Sequence, residues 1–265
     1  MNSKIKISRR SFGRMVLDFT LQKYRELCEA VLENYKPLTV RSYLVEKPTN
    51  KFVILRHDVD KKPESALKLA KLESELGIRS TYYFRMKKDV FKPDIIKKIA
   101  KMGHEVGYHY EVLDKARGDL DKAIKIFEEE LKRFRKVCDV YTICMHGNPL
   151  TPWLNGDLWK KYDYRDFSIL GEAYLSIDFN EIVYFSDTGR TWNSKYNVKD
   201  FKSSESIKNT DNLISLLNKR KFKRIYILTH PNRWSDNPVD WFIELISQNI
   251  KNIGKLGIKL LRRLL

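Results

Sequence analysis

From residue 52 onward, short runs of β-branched and aromatic residues alternate with amphipathic helical patterns. FVIL (52–55), STYYFRM (80–86), EVGY (105–108), VYTICM (140–145) and RIYIL (224–228) read as buried strands. Between them, PESALKLAKLESELG (63–77) and PDIIKKIAKMG (93–103) each open on a proline and close on a glycine. Proline suits a first helical turn and glycine a C-terminal cap. Residues 118–136 place Leu120, Ile124, Phe127, Leu131 and Phe134 on one helical stripe. Further helices are expected at 19–34, at 205–219 and from Pro238 onward. Residues 147–200, rich in aromatics, Asp, Asn and Gly, break the rhythm and predict short strands and long loops. Repeated βα units predict an α/β fold whose mainly parallel sheet closes, or nearly closes, into a barrel.

All five histidines fall in four short motifs beside these apolar runs. His57 lies in LRHDVD (55–60), His104 and His109 in GHEVGYHYE (103–111), His146 in CMHGNP (144–149) and His230 in LTHPNRW (228–234). In a parallel sheet the strand ends meet on one face, so distant residues come to share a pocket. Histidine suits metal ligation and proton transfer near neutral pH, and the pattern reads as a metal-dependent active site. Alternate residues of a strand share a side, so Asp58 and Asp60 are expected to face one site. One carboxylate on a metal and one accepting a proton form a workable hydrolytic pair.

Composition narrows the picture. A chain of 265 residues without repeats or a low-complexity linker is expected to form one domain. We expect a helical lead-in over 1–50 packed on the barrel, a central unit over 51–240, and a basic amphipathic helix over 241–265. No apolar stretch approaches the ~20 residues of a membrane span. SRRSFGRM (8–15) looks like a twin-arginine export signal, but no apolar segment follows it, so it reads as mature sequence. Three cysteines without a CxxC pair fit reduced thiols in a cytoplasmic protein. A formal net charge of +17 suggests nucleic acid. The lysines spread along helical faces, however, and no nucleic-acid-binding signature is present, so a solvated basic surface is the simpler reading. IKNIGKLGIKLLRRLL (250–265) either packs outside the barrel or lies on a membrane surface, with Lys259, Arg262 and Arg263 toward headgroups.

With these motifs the chain resembles the polysaccharide deacetylase family, also called NodB-homology or carbohydrate esterase family 4. The resemblance implies a distorted, irregular (β/α) barrel that removes N- or O-acetyl groups with a divalent metal, often zinc. HDVD resembles the family's first motif and implies Asp58 as base and Asp60 as metal ligand. GHEVGYH resembles its second and implies His109 as ligand, with His104 supporting. LTH resembles its closing motif and implies His230 as general acid. RHDVD, GHEVGYHYE and SDTGRTW (186–192) together resemble a branch found in surface-glycan biosynthesis, which implies substrate contacts at Asp187 and Arg190.

Two departures stand out. The family's second metal histidine falls four residues after the first, where this chain has Leu113. Its Arg-x-Pro-Tyr motif is absent; the corresponding strand end reads His146-Gly147-Asn148-Pro149. A metal site needs a third protein ligand. His146 is the first choice and Glu111 the second, since both lie near the same strand ends. Arg56 or Arg85 replaces the missing arginine, and His57 and His104 make structural hydrogen bonds. Trp153, Trp192 and Trp234 read equally well as core or as sugar platforms, with Arg85 a further substrate contact. The expected function is a cytoplasmic, metal-dependent deacetylase of an N-acetylated sugar in a lipid- or nucleotide-linked glycan precursor. The alternatives are a non-catalytic glycan-binding protein on the same scaffold and a basic nucleic-acid-binding protein.

Overall fold

The computed structural model describes residues 17–192 and 207–264, with side chains through Gly254. The SRRSFGRM stretch, residues 205–206 of the helix expected at 205–219, and the side chains of Lys259, Arg262 and Arg263 lie outside the described residues.

Among the described residues, eight strands form one sheet. They are β1 (Lys36–Leu38), β2 (Phe52–Val59), β3 (Thr81–Arg85), β4 (Glu105–Tyr110), β5 (Thr142–Met145), β6 (Gly171–Glu172), β7 (Val183–Ser186) and β8 (Arg224–Thr229). The sheet order is β6-β5-β4-β3-β2-β8-β7, with every pairing parallel. β1 pairs with the first half of β2 and β3 with its second half. The helices are α1 (Leu21–Asn34), α2 (Val40–Glu46), α3 (Pro63–Glu75), α4 (Pro93–Lys101), α5 (Val112–Lys115), α6 (Leu120–Arg135), α7 (Thr210–Asn218) and α8 (Pro238–Leu264). They surround a sheet curled into a half-barrel, the distorted (β/α) barrel that the alternation implies. The lead-in over 1–50 therefore contributes a strand, β1, as well as helices. That strand is only three residues long, too short to show a period.

Aromatic side chains fill the seam between the edge strands β6 and β7. Tyr174, Phe179, Tyr184 and Tyr226 pack there with ring centroids 5.6–6.5 Å apart. The Tyr226 hydroxyl donates to the Ala173 carbonyl at 3.3 Å. Gly107 in GHEVGYH is fixed by close packing. A Cβ there would lie 2.4 Å from the Tyr83 ring and 2.6 Å from the Thr142 carbonyl. Only glycine lets Tyr83 cross β4 and reach the Thr142 hydroxyl at 2.7 Å.

The period of two along β2 separates two polar systems. Ile54 packs with the barrel interior, and Arg56 and Asp58 follow it inward. Val53 and Leu55 pack outward with Val31, Leu69 and Leu213, and His57 follows them. His57 meets Glu73 at 2.9 Å and the Thr229 hydroxyl at 2.6 Å. Glu73, fully buried on α3, also accepts from Tyr24 at 2.5 Å, Ser80 at 2.5 Å and Tyr82 at 2.6 Å. This one carboxylate joins α1, α3, β2 and β3. Burial pushes its pKa up, but His57, His104 and the hydroxyl donors outweigh that and lower it to about 2.

Because the folded value is depressed from the ordinary 4.5, the stabilisation is present above that value and is lost as pH falls toward 2. Glu73→Gln should lower stability at pH 7 by about 3 kcal/mol. It should also flatten the acid decline between about pH 5 and 2. Urea unfolding across that range measures both effects.

Candidate active site

The ends of β2, β4, β5 and β8 converge on a cavity of about 300 Å³. Asp58 and Asp60 come from β2 and the loop after it, His109 from β4, His146 from the loop after β5, and His230 from the loop after β8. Asp60 stands at the centre. Its Oδ1 lies 3.6 Å from His109 Nε2 and 3.6 Å from His146 Nε2, and its Oδ2 lies 3.9 Å from His230 Nε2. Oδ1 is buried and has no hydrogen-bond partner. An unpaired buried carboxylate oxygen is costly, so its position implies a missing partner. Burial pushes the Asp60 pKa up, but the three imidazoles hold it well below the usual carboxylate range.

The imidazoles are prepared for ligation. His109 Nδ1 donates to the Cys144 carbonyl at 3.0 Å, which turns Nε2 toward the two aspartates; burial lowers the ring's pKa, but Asp58 and Asp60 outweigh that and raise it. Burial lowers the His146 pKa to about 4, so this ring is neutral at physiological pH. Asp60 Oδ1 thus lies 3.6 Å from each ring nitrogen, although the donor atoms of Asp60, His109 and His146 do not all fall within 4.8 Å of one another. Leu113 does not take part: it is buried in the barrel core, and His146 from the neighbouring strand stands beside Asp60 instead.

Among the described residues, it is Asp58, His109 and Cys144 that bring three donor atoms within 4.8 Å of one another. Arg56 argues against an ion there. Its guanidinium, with 0% exposure, donates to Asp58 Oδ1 at 2.8 Å, to Asp58 Oδ2 at 2.6 Å and to Cys144 Sγ at 2.6 Å. A fixed positive charge already holds both groups. Burial keeps the Cys144 thiol well above its usual range, hence protonated. Asp60, His109 and His146 line the same cavity without a fixed positive charge bonded between them.

Arg56 and Arg85 have separate tasks. Burial pushes the Asp58 pKa up, but Arg56 and His109 outweigh it and keep the carboxylate ionised. Arg85 pairs with Glu111 and reaches Asp60 Oδ1 only at 3.9 Å. Glu111 stands behind His146, 3.9 Å from its Nδ1, and not beside Asp60. His104 sits at the opposite end of β4, between the Ser80 amide at 3.2 Å and the Ala70 carbonyl at 2.9 Å.

Asp187 lies beneath His230 and off the cavity wall. Its Oδ1 accepts from His230 Nδ1 at 2.6 Å and from Arg233 at 2.6 Å, and its Oδ2 accepts from Trp234 at 2.9 Å. The two nitrogens converging on Oδ1 are 2.7 Å apart. The ionised Asp187 can only accept, so His230 Nδ1 donates its proton to it, and Nε2 faces the cavity. Burial pushes the Asp187 pKa up, but Arg233 and His230 outweigh it and hold the carboxylate low.

Of the other expected substrate contacts, Arg85 lines the cavity, whereas Trp153, Arg190 and Trp192 lie away from its wall. Trp192 is buried against Phe19 and Trp234, with its ring nitrogen donating to Thr210 at 2.9 Å. Trp153 donates to Asp114 at 2.9 Å and packs against the core. Arg190 stacks on Trp241 at 4.2 Å and donates to its carbonyl at 3.0 Å. Both tryptophan ring nitrogens have partners inside the protein, whereas Arg190 Nε and Nη2 are buried without one. The wall is instead completed by α8, through Glu244, Gln248 and Lys251. Glu244 accepts from Asn232 at 2.9 Å and from Lys61 at 2.8 Å, and Asn252 donates to the Gly189 carbonyl at 2.9 Å. The C-terminal helix thus roofs the cavity. The spacing of Glu244, Gln248 and Asn252, four residues apart each time, was the available signal.

No family model matches the chain, and no curated protein matches it. Among solved structures it is similar to a CE4 family pseudoenzyme from Bacillus anthracis, in a mutant form with restored enzymatic activity. That similarity has 16% identity and a TM-score of 0.39 over 78% of this chain, which spans only 65% of that one. Peptidoglycan deacetylase PdaC from Bacillus subtilis is similar at 15% identity and a TM-score of 0.40, over 82% of this chain and 98% of that one. A polysaccharide deacetylase so described from Mycobacterium smegmatis gives 14% identity and a TM-score of 0.42, over 69% of this chain and 78% of that one.

Elemental analysis after zinc loading separates the two donor sets. Asp60→Ala and His146→Ala should each weaken zinc binding by more than about a hundredfold, since a three-ligand site tolerates no loss. Cys144→Ser should keep one ion per chain. The reverse pattern would place the ion at Asp58 and Cys144.

Proposed function

We propose that the chain is a metal-dependent deacetylase acting on an N-acetylated sugar of a surface-glycan precursor, in the cytoplasm. The observation that carries this reading is the unpartnered Asp60 Oδ1, 3.6 Å from two histidine nitrogens. An ionised Asp58 and the Asp187-backed His230 border the same cavity. The arrangement supplies a cation site, a base and an acid together, as hydrolysis of an acetamide requires. The sequence motifs support the family and the carbohydrate substrate. A volume of about 300 Å³ suits one sugar-sized group.

Asp60, His109 and His146 would hold the ion, and one carboxylate with two imidazoles and an open position suits zinc. When bound, it supplies Lewis acidity that polarises a carbonyl and acidifies a water. The remaining work falls to side chains. Asp58 takes the proton of the attacking water, and Arg56 prevents it from rotating away. His230 Nε2 gives a proton to the leaving amine, without which the C–N bond does not break. Asp187 fixes the orientation of that ring. Asn232 and Gln248 on the wall offer hydrogen bonds to sugar hydroxyls.

Acetate release from N-acetylhexosamine-containing precursors tests the reading. Asp58→Asn and His230→Ala should keep their zinc and lose about 10²–10⁴ in rate. The wild-type profile should have two limbs, because the base must be deprotonated and the acid protonated. Release that is insensitive to chelator, or absent from a zinc-loaded protein that still binds these glycans, would leave a glycan-binding scaffold as the better account.

A further inference from the structure

The helix that roofs the cavity is inside out. α8 turns Glu244, Gln248 and Asn252 toward the protein, all buried. It turns Val239, Phe242, Ile243, Ile246, Ile250 and Ile253 outward, between 45% and 72% exposed. These six recur at helical spacing and form one stripe. In sequence the same spacing continues through Leu260, Leu261 and Leu264. A helix on a globular domain ordinarily buries its apolar stripe, and a continuous exposed stripe marks an interaction surface. Two further facts bear on the partner. Between Leu245 and Leu264 the sequence has five basic residues, Lys251, Lys255, Lys259, Arg262 and Arg263, and no acidic one. Among the described residues, no helix is long and apolar enough to cross a membrane.

We infer that α8 lies in the interface of an anionic lipid bilayer, apolar stripe down, and holds the cavity mouth against the membrane surface. An amphipathic helix with a basic sequence and no span-forming core has this mode of binding. Charge complementarity selects lipid over a second copy of the chain. Two molecules of formal charge +17 repel, whereas an anionic bilayer neutralises the charge. At 27 residues the helix is about 40 Å long, enough to seat the whole domain. Because the opposite face of the same helix lines the cavity, docking brings the site to glycans carried on a membrane lipid. That substrate assignment rests on the deacetylase reading; the docking does not.

Flotation with vesicles of phosphatidylglycerol and phosphatidylcholine tests it, beside phosphatidylcholine alone. Wild type should float with the anionic vesicles and be released in about 1 M salt, where screening is short-ranged. The triple variant Phe242→Asp, Ile246→Asp, Ile250→Asp should bind at least about tenfold more weakly. It should melt at the wild-type temperature and release acetate from a soluble N-acetylated glycan at the wild-type rate. If neither protein releases acetate yet wild type alone floats, docking stands and the deacetylase reading falls. Wild type that ignores anionic vesicles overturns the proposal. So does a triple variant that floats equally well, or a wild-type dimer that the triple variant converts to monomer.

Discussion

A guanidinium sealed inside a barrel must be matched by a carboxylate, and in this protein that pair sets the chemistry of the cavity. Arg56 has no exposed surface and holds both oxygens of Asp58. Its plane faces the Tyr174 ring at 4.3 Å, and Cys144 takes a further donor. Removing either partner would leave a buried charge unpaired, at a cost of about 3–5 kcal/mol. The pair therefore fixes where Asp58 points and keeps it ionised. It also keeps a second cation away from Asp58 and Cys144. The remaining donors, Asp60, His109 and His146, are left for an ion. One buried arginine thus distinguishes the two strand-end carboxylates: Asp58 is held on both oxygens, and Asp60 Oδ1 is left without a hydrogen-bond partner.

The same strand shows how a period of two separates structure from chemistry. His57 lies between Arg56 and Asp58 in sequence, yet it faces the helices and joins Glu73, Tyr24 and Thr229. His104 and His109, five residues apart on β4, divide in a similar way. One braces the sheet at its N-terminal end and the other faces the cavity at its C-terminal end.

Much of this was legible in the sequence. Strong apolar runs marked β2, β3, β4, β5 and β8, and proline and glycine marked α3 and α4. A parallel sheet then required the motifs at the strand ends to meet. The parts that were not legible depend on long-range packing. β6 and β7 are two and four residues long, and they exist because the tyrosines around them close the seam. Asp187 reads as a substrate contact in SDTGRTW until β7 places it under His230. Trp192 looks like a sugar platform until its ring nitrogen is found bonded to Thr210. The inverted face of α8 is written in the spacing of its residues, but only the fold shows which face turns inward.

The central claim is that one divalent ion belongs between Asp60, His109 and His146. Anomalous diffraction from crystals soaked in zinc tests it directly. The account predicts a single strong peak about 2.0–2.2 Å from Asp60 Oδ1, His109 Nε2 and His146 Nε2. A peak bonded to Asp58 and Cys144, with Arg56 displaced, or no peak at these strand ends, would contradict it.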